Sequence, residues 1–287
     1  MSAITPFTPL FRQHRWSVAL VHLLLVVASL VFVFPMLWML STSLKPIDEV
    51  MRLPPEWIPE TVRWQNYVDM ARYIPFARYA FNTLLVCLLA TVGTVASSAL
   101  VAYSFTRLEW PGQKVLFGLT LATMMVPFPV LMVPLYGVFK SLGWIGSLKP
   151  LWFPSFFGGA FNIFLLRQFF SRIPKTLGEA MMLDGASELR IFLKIYVPLA
   201  RPALAVVALF QFIYSWNDFL GPLLYLSDQS TFTLPLGLQA FQGQMGGASW
   251  HLLMAASVLT TLPIVVLFFF LQRSFLQGIT VMQNVDA

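Results

Sequence analysis

Charge is scarce in this chain. Of 287 residues only 10% are Asp, Glu, Lys or Arg, 58% are hydrophobic, and the mean hydropathy is +0.75. A soluble domain carries about 25% charged residues, so water cannot wet this surface all round and lipid must cover most of it. Cysteine is scarcer still. Cys87 stands alone, which excludes an internal disulfide and a Cys-based metal site and leaves a small apolar packing residue. His14, His22 and His251 are isolated, and there is no His-Glu-x-x-His or Gly-x-Ser-x-Gly. Neither a zinc site nor a hydrolase triad is indicated, and no cofactor or metal is expected on this chain. No Gly-x-x-x-x-Gly-Lys-Ser/Thr loop is present, so any ATP use belongs to another chain. Acids and bases are nearly absent from the apolar runs, whereas a proton- or sodium-coupled carrier usually needs some near the midplane. A membrane enzyme would need a cluster of nucleophile, base or metal ligands, and the sequence has none.

What is abundant is apolar length. A span takes about 20 mostly apolar residues. Six stretches qualify, approximately 18–40, 79–106, 115–139, 150–170, 202–226 and 252–272. The fourth is short, and the fifth contains Asp218 near its end. The expectation is an all-α integral membrane protein forming one transmembrane domain over 1–287, with about six transmembrane helices. The first run, Val18 to Leu40, exceeds the about 7–15 residues of a signal peptide's apolar core, and so reads as an uncleaved anchor.

Orientation follows from Lys and Arg. With six spans both termini share a side. Placing them in the cytoplasm puts Arg12, Arg15, Arg107, Lys114, Arg167, Arg172, Lys175, Arg190, Lys194, Arg201 and Arg273 inside, eleven of the eighteen basic residues. Five of the other seven lie in the long outer loop 41–78. The positive-inside tendency therefore places both termini in the cytoplasm. It also accounts for the net charge of +6 without nucleic acid as a partner.

Between the fourth and fifth spans lies a more polar loop, 171–201, cytoplasmic on this topology. Pro174 and Thr176 mark a helix start, and Thr176-Leu-Gly-Glu179 fits a capping box. Gly185 interrupts this first helix, Ser187 caps a second, and Pro198 ends it. Leu189, Phe192, Leu193 and Tyr196 share one face at helical spacing. Such a stripe either folds back on the chain's own spans or docks on a partner; periodicity does not choose between them.

The residues here resemble a known signature. Glu179-Ala180-Met-Met-Leu-Asp184-Gly185, nine further residues, and Ile195-Tyr-Val-Pro198 are similar to the EAA motif of ABC importer permeases. That motif is Glu-Ala-Ala, a glycine after three more residues, nine residues, then Ile-x-Leu/Val-Pro. The sequence departs at Met181, where alanine is usual, and at Gly178, where an acid is common. Ser43-Leu-Lys-Pro46, Arg167-Gln-Phe-Phe170, Ser215-Trp-Asn-Asp-Phe219, Thr231-Phe-Thr-Leu-Pro235 and Gln272-Arg-Ser-Phe-Leu-Gln-Gly278 resemble, in order, the second, MalG-like permease of carbohydrate importers.

The resemblance implies a subunit in a bacterial cytoplasmic (inner) membrane that forms half of a sugar path. Its implied partners are a homologous permease, an ABC ATPase dimer that binds ATP and Mg, an extracytoplasmic solute-binding protein, a sugar substrate and membrane lipid. Glu179, Ala180, Asp184, Gly185, Ile195 and Pro198 would form the ATPase-coupling element. Asn217 and Asp218 are candidates for lining the path, or else sit at the interfacial end of the fifth span beside an aromatic-belt Trp216. Gln242, Gly243, Gln244, Gly246 and Gly247 would face the binding protein, as would the loop 41–78. Pro127, Pro129 and Pro134 break the third span, either as packing kinks or to line a cavity. The run Thr91, Gly93, Thr94, Ala96, Ser97 and Ser98 suits close helix packing. Gly158, Gly159 and Asn162 suit either packing or the route. The rival reading is a secondary carrier or channel that needs no ATPase.

Overall fold

The structure, a computed structural model, describes residues 15–242 and 249–283. Among the described residues it is all-helical, with no strand. Helix α1 (Arg15–Ser43) leads to the short α2 (Ile47–Val50) and to α3 (Gln65–Tyr73). The long α4 (Phe76–Arg107) follows, then α5 (Gln113–Thr123) and α6 (Phe128–Ser141). Next come α7 (Lys149–Trp152), a 3-10 stretch Phe153–Phe157 and α8 (Ala160–Phe170). Then come α9 (Lys175–Leu183), α10 (Glu188–Ile191), a π-turn Phe192–Tyr196 and α11 (Val197–Leu199). Finally α12 (Arg201–Trp216), α13 (Leu220–Tyr225), α14 (Leu234–Leu238) and α15 (Trp250–Gln283) complete the bundle.

Three helices are long and apolar enough to cross a membrane: Val18–Ser43, Phe76–Arg107 and Trp250–Phe270. Two bent pairs raise the number to five if each is one span. The third apolar run is α5 plus α6, bent by 101°. Pro127 sits at the N-cap of α6 and Pro129 in its first turn, positions proline tolerates because no intrahelical donor is needed there. The fourth run is not one continuous helix. Gly158 at φ +83° ends the 3-10 stretch, and α8 starts afresh after Gly159. The fifth run stops at Trp216, turns through Asn217 and Asp218, and resumes as α13.

Helix α1 shows why lipid must be its solvent. Leu20 through Leu37 leave apolar side chains exposed on every side, Phe32 most of all at 81%. Its packing partner is α15.

The small-residue run on α4 seats the broken fourth segment. A Cβ on Gly93 would lie 2.5 Å from the Phe156 ring. Ser97 Oγ donates to Ser155 O at 3.2 Å, and Gly159 N donates to Ser98 Oγ at 3.3 Å. Small side chains thus let a 3-10 backbone lie directly on the helix and satisfy part of its polar backbone.

Two cores sit at opposite ends of α4. One gathers Ala102, Tyr103, Leu166, Phe170, Ile191, Tyr196 and Val207. The other gathers Met70, Tyr79, Cys87, Trp216, Leu234, Phe241 and Ala255. Cys87 is fully buried among apolar neighbours, as a packing residue would be.

Candidate functional site

The segment between α8 and α12 is a helix–break–helix. The geometry of the break is a complete C-terminal motif. Ala186 N donates to Met181 O at 2.9 Å and Gly185 N to Met182 O at 2.9 Å, with Gly185 at φ +79°. These two bonds satisfy carbonyls that the end of α9 would otherwise orphan, and the left-handed residue suits glycine. Ser187 then caps α10, its Oγ accepting from Arg190 N at 3.4 Å. The capping box does not form. Pro174 occupies the N-cap position and offers no side-chain acceptor, while Thr176 lies inside α9.

Glu179 instead turns toward the chain's own Arg107, with Nη1 to Oε1 at 3.7 Å. The Arg107 side chain is 6% exposed and that of Glu179 58%. Gly178 explains how the guanidinium fits beneath α9: a Cβ there would stand 3.0 Å from Arg107 Nη2. A glycine in place of the usual acid is therefore what lets the arginine lie flat against the helix. Tyr103, one turn earlier on α4, donates its hydroxyl to the Glu188 carboxylate and packs edge-on against Tyr196 with ring centroids 4.9 Å apart. Glu188 lies in the first turn of α10, where a carboxylate is favoured by the helix dipole.

The apolar stripe divides. Phe192 and Tyr196 are buried in the adjacent core, whereas Leu189 and Leu193 are exposed. The π-turn at Phe192–Tyr196 is the cause: a widened turn breaks the 3.6-residue phase and sends the two aromatic residues inward. Met181 and Ile195 pack against the same core, and Pro198 is half-buried. The larger side chain at position 181 therefore fills an internal contact. Ala180, Asp184 and Gly185 are exposed. Around them stand Leu177, Met182, Leu183, Leu189 and Leu193, with Leu183 91% exposed. This apolar patch is rimmed by charge and has no covering partner among the described residues, the form a protein-docking surface takes.

At the opposite end, Asp218 Oδ1 accepts from Gly221 N at 3.1 Å at the start of α13. Trp216 is not an aromatic-belt residue. It is 4% exposed, and its indole donates to Thr260 O at 3.1 Å, pinning α12 to α15. Asn217 bonds back to Ile213 O within its own helix end. Asp218→Asn is expected to leave transport within about twofold of wild type, because an amide oxygen still accepts the same bond. Asp218→Ala should lower stability by about 1 kcal/mol. Uptake in vesicles and thermal unfolding check both. A large transport loss in Asp218→Asn at unchanged stability would return the charge to the path.

The Thr231–Pro235 stretch is held by α4. Asn82 Nδ2 donates to Ser230 O at 3.0 Å and Phe232 O at 2.9 Å, and Leu234 N donates to Thr83 Oγ1 at 2.8 Å. Ser43-Leu-Lys-Pro46 forms a polar knot beyond α1. Lys45 is 1% exposed, lies 4.3 Å from the Trp38 ring centroid, and donates to Glu56 O. Burial pushes its ammonium below the usual lysine range, against the pull of Glu49 and Glu56. Asn66 clamps the carbonyls of Ser43 and Lys45 at 2.9 and 2.8 Å. Gln242 is exposed, whereas Gly243, Gln244, Gly246 and Gly247 lie outside the described residues.

Sequence reasoning missed Arg107, Tyr103, Asn82 and Thr83 as organising residues. Arg107 was visible only as one of many basic residues flanking spans, and the other three only as polar residues within an apolar run.

The described residues form a bundle of apolar, partly broken helices with a helix–break–helix between α8 and α12. The family of binding-protein-dependent transport system inner membrane components matches residues 95–281, and the chain belongs to it. An arabinooligosaccharides transport system permease protein, AraQ, from Bacillus subtilis (strain 168) is 32% identical over 277 residues, spanning 96% of this chain and 97% of the relative. A trehalose/maltose transport system permease protein, MalG, from Thermococcus litoralis is 32% identical over 258 residues, spanning 89% and 92%. Among solved structures, a bacterial ABC transporter involved in the import of the acidic polysaccharide alginate shares the fold. Its TM-score is 0.80 at 23% identity, covering 94% of this chain and 100% of that one.

Proposed function

We propose that this chain is one of two permease subunits of an ATP-driven ABC importer for a sugar or oligosaccharide. It supplies half of the path and no chemistry of its own. The observation that carries this reading is the exposed surface of 177–193, an apolar patch on a segment whose break and anchors are built in full. Six spans place both termini and the loop 171–201 in the cytoplasm, with the broken fourth run counted as a span. The loop 41–78 and the residues around 242–247 then face an extracytoplasmic binding protein. ATP and Mg bind to the partner ATPases. Their closure moves the coupling segment as a rigid lever, and alternating access follows from rigid-body motion of the bent helices.

The test is reconstitution. The purified chain alone is expected to bind no ATP. With its ATPase and second permease it should support hydrolysis stimulated by the binding protein and sugar uptake into vesicles. Saturable ATP binding by the chain alone, or uptake without the ATPase, would overturn the reading. Topology has its own check, using single cysteines on a Cys87→Ala background. One placed at Glu60 should react with an impermeant maleimide added from outside, and one at Glu109 only after the membrane is opened. Both side chains are well exposed. Labelling of both from the same side would dispose of the six-span arrangement.

A further inference from the structure

At the end of the bundle opposite the segment 171–201, the start of α4 and the stretch 229–242 line an open cavity of about 640 Å³. That lies within the about 300–1,000 Å³ typical of ligand pockets. Its chemistry is unusual for this chain. Tyr73, Tyr79 and Phe232 supply rings, Gln229, Gln239 and Gln242 supply amides, and among the described residues no Asp, Glu, Lys or Arg lines it.

The rings are fixed before any ligand arrives. Tyr73 stacks on Phe241, with centroids 5.1 Å apart. Tyr79 is buried beneath Gly237, where a Cβ would come within 2.2 Å of its ring. The backbone carrying Phe232 is bolted to α4 by Asn82 and Thr83. The amides, in contrast, are uncommitted. All three glutamines are exposed, and among the described residues none of their side chains, nor the Tyr79 hydroxyl, makes a hydrogen bond. Each amide offers two donors and an acceptor.

Rigid ring faces with free amides around them match a molecule that is apolar on its C–H faces and hydroxylated at its rim. The missing charge selects further. A carboxylate brought here would meet no cation in the lining, whereas hydroxyls would meet three amides. We infer that the cavity is a subsite for a neutral saccharide, contributed by this subunit beside the path. This rests on the reading of the chain as a sugar-importer permease.

The test uses the assembled complex in lipid nanodiscs and saturation-transfer NMR. Maltotriose, arabinotriose and diacetylchitobiose serve as neutral probes and trimannuronate as the acidic one. At least one neutral probe should show transfer, and trimannuronate none. In Gln229→Ala/Gln239→Ala the affinity should fall about tenfold, the effect of losing roughly one net hydrogen bond. Tyr73→Ala, altered at an exposed ring, should weaken binding similarly. Co-purification of the ATPase with each variant confirms that it folds. No transfer to any neutral probe, equal binding by the double variant, or stronger transfer to trimannuronate would overturn the subsite. The importer reading fails separately, if the wild-type complex takes up no saccharide in the presence of its ATPase and binding protein.

Discussion

Gly185→Val is expected to reduce sugar uptake and binding-protein-stimulated ATP hydrolysis by tenfold or more, while the protein still inserts in the membrane. Gly185 sits at φ +79°, and a Cβ there would meet nothing within 4 Å. Crowding is therefore not the mechanism. The effect is confined to the backbone, where a left-handed conformation is unfavourable for an L residue by roughly 1–2 kcal/mol and worse for a β-branched one. Valine would release φ to negative values, break the two bonds that close α9, and swing α10 away from the exposed leucines beside it. Gly185→Asn is the control, since asparagine tolerates this conformation and should transport within a few-fold of wild type. Vesicle uptake and ATPase rates for the three proteins decide it. Wild-type rates in Gly185→Val would remove the loop as the coupling element.

Glu179→Gln separates what Glu179 does inside the chain from what it does for a partner. Inside, it faces Arg107 at 3.7 Å with its own side chain 58% exposed. The Arg107 side chain is buried, but the Glu179 end is open to solvent and a glutamine amide oxygen can still accept from the guanidinium, so thermal stability of the permease should change by only about 0–1 kcal/mol. If the proposed ATPase docks on this segment, the same carboxylate would become an interfacial anion. Loss of a charge-assisted contact there amounts to about 2–5 kcal/mol, a fall of tenfold or more in ATPase association. The expected signature is unaltered melting of the permease with sharply weakened co-purification and uptake. Unchanged association would assign Glu179 to its own chain alone. Arg107→Ala is expected to do the reverse and lower stability first, because the guanidinium fills the space under Gly178.

Much of this architecture was readable because lipid imposes simple demands. Uniformly apolar runs lie within α1, α4 and α15, the last continuing past the expected end to Gln283. Of the three prolines in the third run, those at 127 and 129 marked the bend between α5 and α6, since their chemistry is local, whereas Pro134 lies inside α6 without ending it. Gly185 and Ser187 were legible for the same reason. What stayed hidden depends on residues far apart in sequence. The π-turn that splits the stripe answers to a core assembled from α4, α8 and α12, and no local pattern announces it. Asn82 reaches a carbonyl 148 residues away. Capping chemistry assigned Thr176 and Glu179 to each other, but a proline two residues earlier had already set where the helix begins. Trp216 looked interfacial because it stands at the end of an apolar run, yet a carbonyl of α15 claims its indole.

Helix α4 runs unbroken for 32 residues, about 48 Å at 1.5 Å per residue. Near one end, Tyr79, Asn82 and Thr83 grip the stretch 230–237; near the other, Tyr103 and Arg107 grip the coupling segment. Two helix pairs beside it are bent, at 101° and 80°, whereas α4 is continuous. A continuous rod between bent neighbours has the form of a tie bar. If this chain couples to an ATPase as proposed, a tilt imposed at the Arg107 end of so continuous a helix would be carried to the wall that holds Tyr79. Sugar release and ATPase closure would then be two readings of the angle of one bar, and neither could be set independently of the other.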